Sequence, residues 1–185
     1  MVNLVHDARR PLRWRAGSAS FPMLCVAMLL ASCEPAGTLG GSSGSANDYL
    51  VARQALETGN YALAIRRYER LIDQAGTSAG RLQLEYAHSL LRAGQFERAI
   101  ASSSELLQTS DGSVAANARA VRGTARHEAA RSLIAQGQSG AEARSLLEGA
   151  RSDLGAFVES HPQLDAAGAM AARLQMIASD LRGLG

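Results

Sequence analysis

The sequence predicts an all-α fold, and three observations carry that expectation. Beyond Ala46 no stretch alternates apolar and polar residues with period two, β-branched residues are scarce, and apolar residues recur at spacings of three and four. Alanine is abundant and aromatic residues make up only 4% of the chain, a composition suited to closely packed helices.

The chain opens on a different pattern. Arg9, Arg10, Arg13 and Arg15 lead into residues 21–30 (FPMLCVAMLL), a run without charge. Such a run is too short to cross a bilayer, which takes roughly 20 apolar residues. A basic lead, a short apolar run and small residues at its exit predict a secretory signal peptide over residues 1–32. At that exit, Leu30, Ala31, Ser32 and Cys33 resemble the bacterial lipobox. The resemblance implies a lipid on the Cys33 sulfur, cleavage before it and acylation of the new amino terminus. A thiolate is the strong nucleophile such chemistry needs. The other cysteine, Cys25, would leave with the signal, so no disulfide framework is expected.

Residues 34–46 (EPAGTLGGSSGSA) lack periodicity and are rich in Gly and Ser. Such a stretch behaves as a flexible coil spanning roughly 20 Å. With Cys33 it reads as a tether over residues 33–46, leaving residues 47–185 as a single helical domain. The formal net charge of +2 belongs largely to the signal. Without residues 1–32 the chain holds 15 arginines against 16 acids, and no clustered basic face suggests nucleic acid.

Two stretches of the helical part are alike. GNYALAIRRYERLI begins at Gly59 and GQFERAIASSSELL at Gly94, 35 residues later. Each places an aromatic two residues after the glycine, then Ala-Ile, with a leucine ten residues past the aromatic (Leu71, Leu106). This pattern resembles the tetratricopeptide repeat, a helix–turn–helix unit with a period near 34. Gly59 and Gly94 match its turn glycine, Tyr61 and Phe96 its aromatic, and Ala64 and Ala99 its small second-helix position. Tyr68 matches a later aromatic, where the second unit has Ser103. Ala52 and Ala87 stand at the small first-helix position, and Asp48 and Gln83 replace the family's tryptophan.

A third unit is longer, its turn glycine Gly137 lying 43 residues after Gly94. Its first helix is expected over residues 114–136, with a stripe at Val114, Ala118, Val121, Ala125, Ala129 and Leu133. The second is expected over residues 140–160, with Leu146, Leu147, Ala150, Leu154, Phe157 and Val158. Pro162 then ends that helix and opens a seventh. Its stripe would be Leu164, Ala167, Ala171, Leu174, Ala178 and Leu181, capping the array over residues 164–184. The resemblance implies a right-handed α-solenoid of about three such hairpins plus this cap.

No catalytic set emerges. His6, His88, His127 and His161 lack metal-ligand spacing, the Gly-rich residues 40–44 lack the Lys-Ser/Thr of a phosphate loop, and no serine sits in a GxSxG elbow. The expectation is therefore a non-enzyme without cofactor or metal. In the family, first-helix residues line a groove that takes a peptide or partner helix. Carried onto this chain, the groove would present Tyr49, Arg53, Leu56, Leu84, His88 and Leu91, then Asn117, Ala120, Thr124 and His127. Leu56 and Leu91 suit core packing equally well.

The function so implied is a membrane-anchored periplasmic adaptor docking a protein partner in an envelope assembly. Small lipoproteins with such repeats resemble assembly factors of pili and secretion machines. Glu34, rather than Asp, after Cys33 favours the outer membrane, with the inner membrane as the alternative. Other readings are an outer-membrane protein assembly component, a small envelope ligand-binding protein, and a homodimer formed through the long Ala/Leu stripes.

Overall fold

A computed structural model describes residues 42–76 and 79–185. The signal peptide, Cys33 and the tether as far as Gly41 lie outside these residues. Seven α-helices follow in order: α1 Ser42–Glu57, α2 Tyr61–Ala75, α3 Gly80–Arg92, α4 Phe96–Thr109, α5 Gly112–Ala135, α6 Ala141–Ser160 and α7 Ala169–Gly183. A short 3-10 helix, Pro162–Asp165, separates α6 from α7, and the described residues contain no strand. Each helix packs on the next, α5 and α6 share the most extensive contact, and α3 also meets α5.

The same turn closes α1–α2, α3–α4 and α5–α6. Gly59, Gly94 and Gly137 have φ of 82°, 72° and 78°, a left-handed conformation that costs other residues a steric penalty. The residue after each glycine donates its backbone N–H back to the preceding helix. Asn60 reaches Ala55 O at 2.8 Å, Gln95 reaches Leu90 O at 2.9 Å and Gln138 reaches Leu133 O at 2.9 Å. These 6→1 bonds satisfy carbonyls at the helix ends that would otherwise lack a partner. In the first two hairpins the next helix starts two residues past the glycine. In the third it starts at Ala141, so that connection is longer.

Burial follows the 35-residue spacing. Ala52 and Ala87, Ala55 and Leu90, Ala64 and Ala99, Tyr68 and Ser103, and Leu71 and Leu106 are all buried. Small residues at the helix crossings let the axes approach, and Tyr68 fills the wedge against Tyr49 edge-on, with ring centroids 6.4 Å apart. Ser103 stands where the first hairpin has Tyr68, and neither buried hydroxyl has a hydrogen-bond partner among the described residues. Burial, then the nearby Glu85 carboxylate, raises the Tyr68 hydroxyl well above the usual phenol range.

Three features differ from expectation. Helix α1 begins at Ser42, so it takes in the last five residues of the stretch read as tether. Helix α5 buries two flanks rather than one stripe: Ala118, Ala125 and Ala129 on one, and Ala116, Gly123, His127 and Ala130 on the other. The cap is the largest correction. Pro162 opens the 3-10 turn instead of a helix, Gly168 follows in the left-handed region (φ 70°), and α7 starts only at Ala169. Leu164 and Ala167 therefore stand exposed outside α7. The packed stripe of α7 is Met170, Leu174, Ile177 and Leu181, with Ile177 fully buried. Asp165 clasps the start of this helix, accepting the backbone N–H of Met170 at 2.9 Å and of Ala171 at 3.0 Å.

Candidate docking groove

One face of α3 and one face of α5 open onto a common groove of about 720 Å³. Helix α3 contributes Leu84, His88 and Leu91, one helical row, flanked by Glu85 and Arg92. Helix α5 contributes Asn117, Ala120, Val121, Thr124 and Glu128. Gly94 of the α3–α4 turn, Phe96, the first residue of α4, and Met170 and Arg173 of α7 complete the lining. Apolar side chains form a stripe between charged groups at the edges, a lining that can hold the apolar anchors of a chain and fix its polar flanks.

The edge charges are already engaged within the protein. Arg53 Nη1 donates to Glu85 Oε1 at 3.0 Å, and its Nε donates to Glu57 Oε1 at 2.7 Å. The hydrogen bond to Glu57 and the charge of Glu85 raise the Arg53 pKa further. Arg92 donates to Tyr61 Oη at 2.9 Å and lies over that ring. Across the groove, Arg173 Nη1 donates to Glu128 Oε1 at 2.6 Å. His88 is exposed at the groove, yet the protein around it desolvates the imidazole and lowers its pKa.

Of the residues expected to line a groove, Leu84, His88, Leu91, Asn117, Ala120 and Thr124 come together here. Tyr49, Arg53, Leu56 and His127 do not. Leu56 is buried in the α1–α2 core, and Tyr49 packs at its edge. Tyr49 also lines a second hollow of about 470 Å³ with Leu71, Gln74, Ala75 and Leu82. Arg53 reaches the groove only through Glu85. His127 is wholly buried beneath α7, because the groove row on α5 runs 117, 121, 124, 128 and residue 127 is rotated about 100° away. Its Nε2 lies 2.8 Å from Asp180 Oδ2, and its Nδ1 lies 3.1 Å from Arg173 Nη1. A guanidinium can only donate, so Nδ1 accepts from Arg173 and Nε2–H donates to Asp180.

Glu85, Arg92, Phe96, Val121, Glu128, Met170 and Arg173 line the groove without having been foreseen. Phe96 was legible only as a repeat aromatic. Met170 and Arg173 depend on where the cap lies, which no local pattern reveals. Among the described residues no group of His, Cys, Asp and Glu is arranged to hold a metal ion. No helix among them is long and apolar enough to cross a membrane. No family model, no curated protein and no solved structure matches this chain.

Proposed function

We propose that this chain is a tetratricopeptide-type lipoprotein adaptor. It is tethered through Cys33, and its groove docks an extended or helical segment of a protein partner in an envelope assembly. The observation that carries the reading is the groove itself, with its row of half-buried apolar side chains on α3 and α5 between charged edges. Further support comes from the 35-residue pairing of buried positions and from one turn geometry used three times. Both support reading the chain as an array of stacked helix hairpins. The lipobox-like Leu30–Cys33 stretch supports the anchor, and Glu34 after it supports the outer membrane. Two or three acyl chains, each methylene contributing about 0.8 kcal/mol, hold a protein at a bilayer where one chain does not. The adaptor role needs no catalytic group.

Two variants separate anchor from groove. Cys33→Ala is expected to leave the membrane fraction while remaining folded. His88→Glu and Ala120→Arg are expected to stay in the membrane fraction and lose the co-isolated partner at least tenfold. A Cys33→Ala chain still held in membranes would refute the anchor. Groove variants that retain their partner at wild-type yield would refute the docking site.

A further inference from the structure

The face of α5 opposite the groove carries a row of arginines, Arg119, Arg122 and Arg126, spaced i, i+3 and i+7. The row lies where α5 is flanked by α4 and α6: Arg122 Nη1 reaches Ser104 Oγ of α4 at 3.3 Å. Its Nε and Nη2 bind both oxygens of Asp153 of α6 at 2.9 and 2.6 Å. Arg126 Nη1 donates to the same carboxylate at 2.7 Å and toward Gly149 O at 3.4 Å. Gly149 makes room for it, since a Cβ there would stand 3.1–3.3 Å from the Arg126 side chain.

The charges do not balance. Asp153 is buried and neutralises one positive charge, while Arg122 and Arg126 share it. Arg119, half-buried on the same row, has no hydrogen-bond or ion-pair partner among the described residues. Guanidinium groups held away from water favour a counter-charge. Asp153 also fixes Arg122 and Arg126 in place, so their remaining N–H donors are ordered before any ligand arrives.

We propose that this arginine row is a second docking surface, on the side of α5 opposite the groove, for an acidic segment of a protein partner. Its occupant presents two or three carboxylates along about 10 Å, the rise of α5 between Arg119 and Arg126. Their partial burial favours protruding Asp or Glu side chains over a flat membrane surface: the side chains of Arg122 and Arg126 are only 20% and 25% exposed.

The test uses the full chain in detergent and a fluorescent Ala-rich helical peptide with glutamates spaced four and three apart. A glutamine version of the peptide is the control. The glutamate peptide is expected to bind at least tenfold more tightly than the control, and more weakly as salt rises. Arg119→Gln breaks no hydrogen bond or ion pair and keeps most of the stem, so it should stay close to the wild-type melting temperature while weakening the glutamate peptide at least fivefold. His88→Glu, across the molecule, should leave that binding unchanged. Equal binding of the two peptides, an Arg119→Gln variant at wild-type affinity, or loss through His88→Glu would each overturn the proposal. So would Arg119-dependent binding to phosphatidylglycerol vesicles without binding of the peptide. The groove is read separately through partner co-isolation, so failure here leaves that reading standing.

Discussion

Two junctions in this molecule occupy matching places and are built differently. Where α3 lies between α2 and α4, Tyr86 donates to Glu69 Oε1 at 2.9 Å, and Arg98 binds both Glu69 Oε1 and Tyr86 Oη at 2.9 and 2.7 Å. One acid meets one base, and both side chains are about half exposed, at 43% and 52%. Where α5 lies between α4 and α6, the helices close to the point that Gly123 has no room for a side chain, and buried Asp153 carries two arginines. The first junction is charge-neutral and wet, and water screens its ion pair. The second combines close backbone approach with an uncompensated positive row. The comparison teaches that the longer third hairpin is the more tightly specified part, and that its leftover charge faces away from the groove.

The largest expected effect is at Asp153. Asp153→Asn leaves Arg122 and Arg126 without their shared carboxylate and should destabilise the protein by about 3 kcal/mol. For a domain this size that is a fall in melting temperature of roughly 6–12 °C, measurable by circular dichroism. A fall no larger than that of Glu69→Gln at the α3 junction would erase the contrast between the two junctions. Gly123→Ala comes next. Its Cβ would lie 2.8 Å from Leu154 Cγ and 3.0 Å from Asp153 Cβ, so α5 and α6 must move apart. A net loss of about 1–2 kcal/mol is expected after the gain of roughly 1 kcal/mol in helix propensity. Glu69→Gln at the exposed junction should cost about 0.5 kcal/mol or less.

The smallest effect is local to α7. The N–H groups of Met170 and Ala171 hold the Asp165 carboxyl below the usual carboxylate range. A depressed folded-state pKa stabilises the charged form, so the clasp is fully present above the ordinary aspartate value near 4. It is lost as pH falls below that, through the lowered pKa. Asp165→Asn should raise amide exchange at the start of α7 at neutral pH and leave α1–α4 unchanged. The wild type should show the same change only in acid.

Much of the fold was legible because its signals are local. Gly59, Gly94 and Gly137 mark turns that need a left-handed residue, and Ala52, Ala64, Ala87 and Ala99 mark close crossings. The groove was half legible for the same reason: Leu84, His88 and Leu91 recur at helical spacing on one row that faces it. What escaped depends on tertiary position. His127 and Glu128 are neighbours in sequence, and a helix buried on two flanks offers no apolar stripe by which to tell which faces the groove. The sequence pattern points to Ala178 rather than the buried Ile177, because in an Ala-rich helix small residues blur the stripe. The Arg122–Asp153 brace joins residues 31 apart in sequence, and no spacing rule links them.

The most direct test of the central claim is site-specific photocrosslinking in cells that make this protein. A photoreactive residue would replace His88 in the groove in one strain and exposed Arg66 on α2 in another. The account predicts one discrete crosslinked partner from position 88, none from position 66, and loss of that adduct when Ala120→Arg is added. Identical adducts from both positions, or an adduct at position 88 that survives Ala120→Arg, would contradict it.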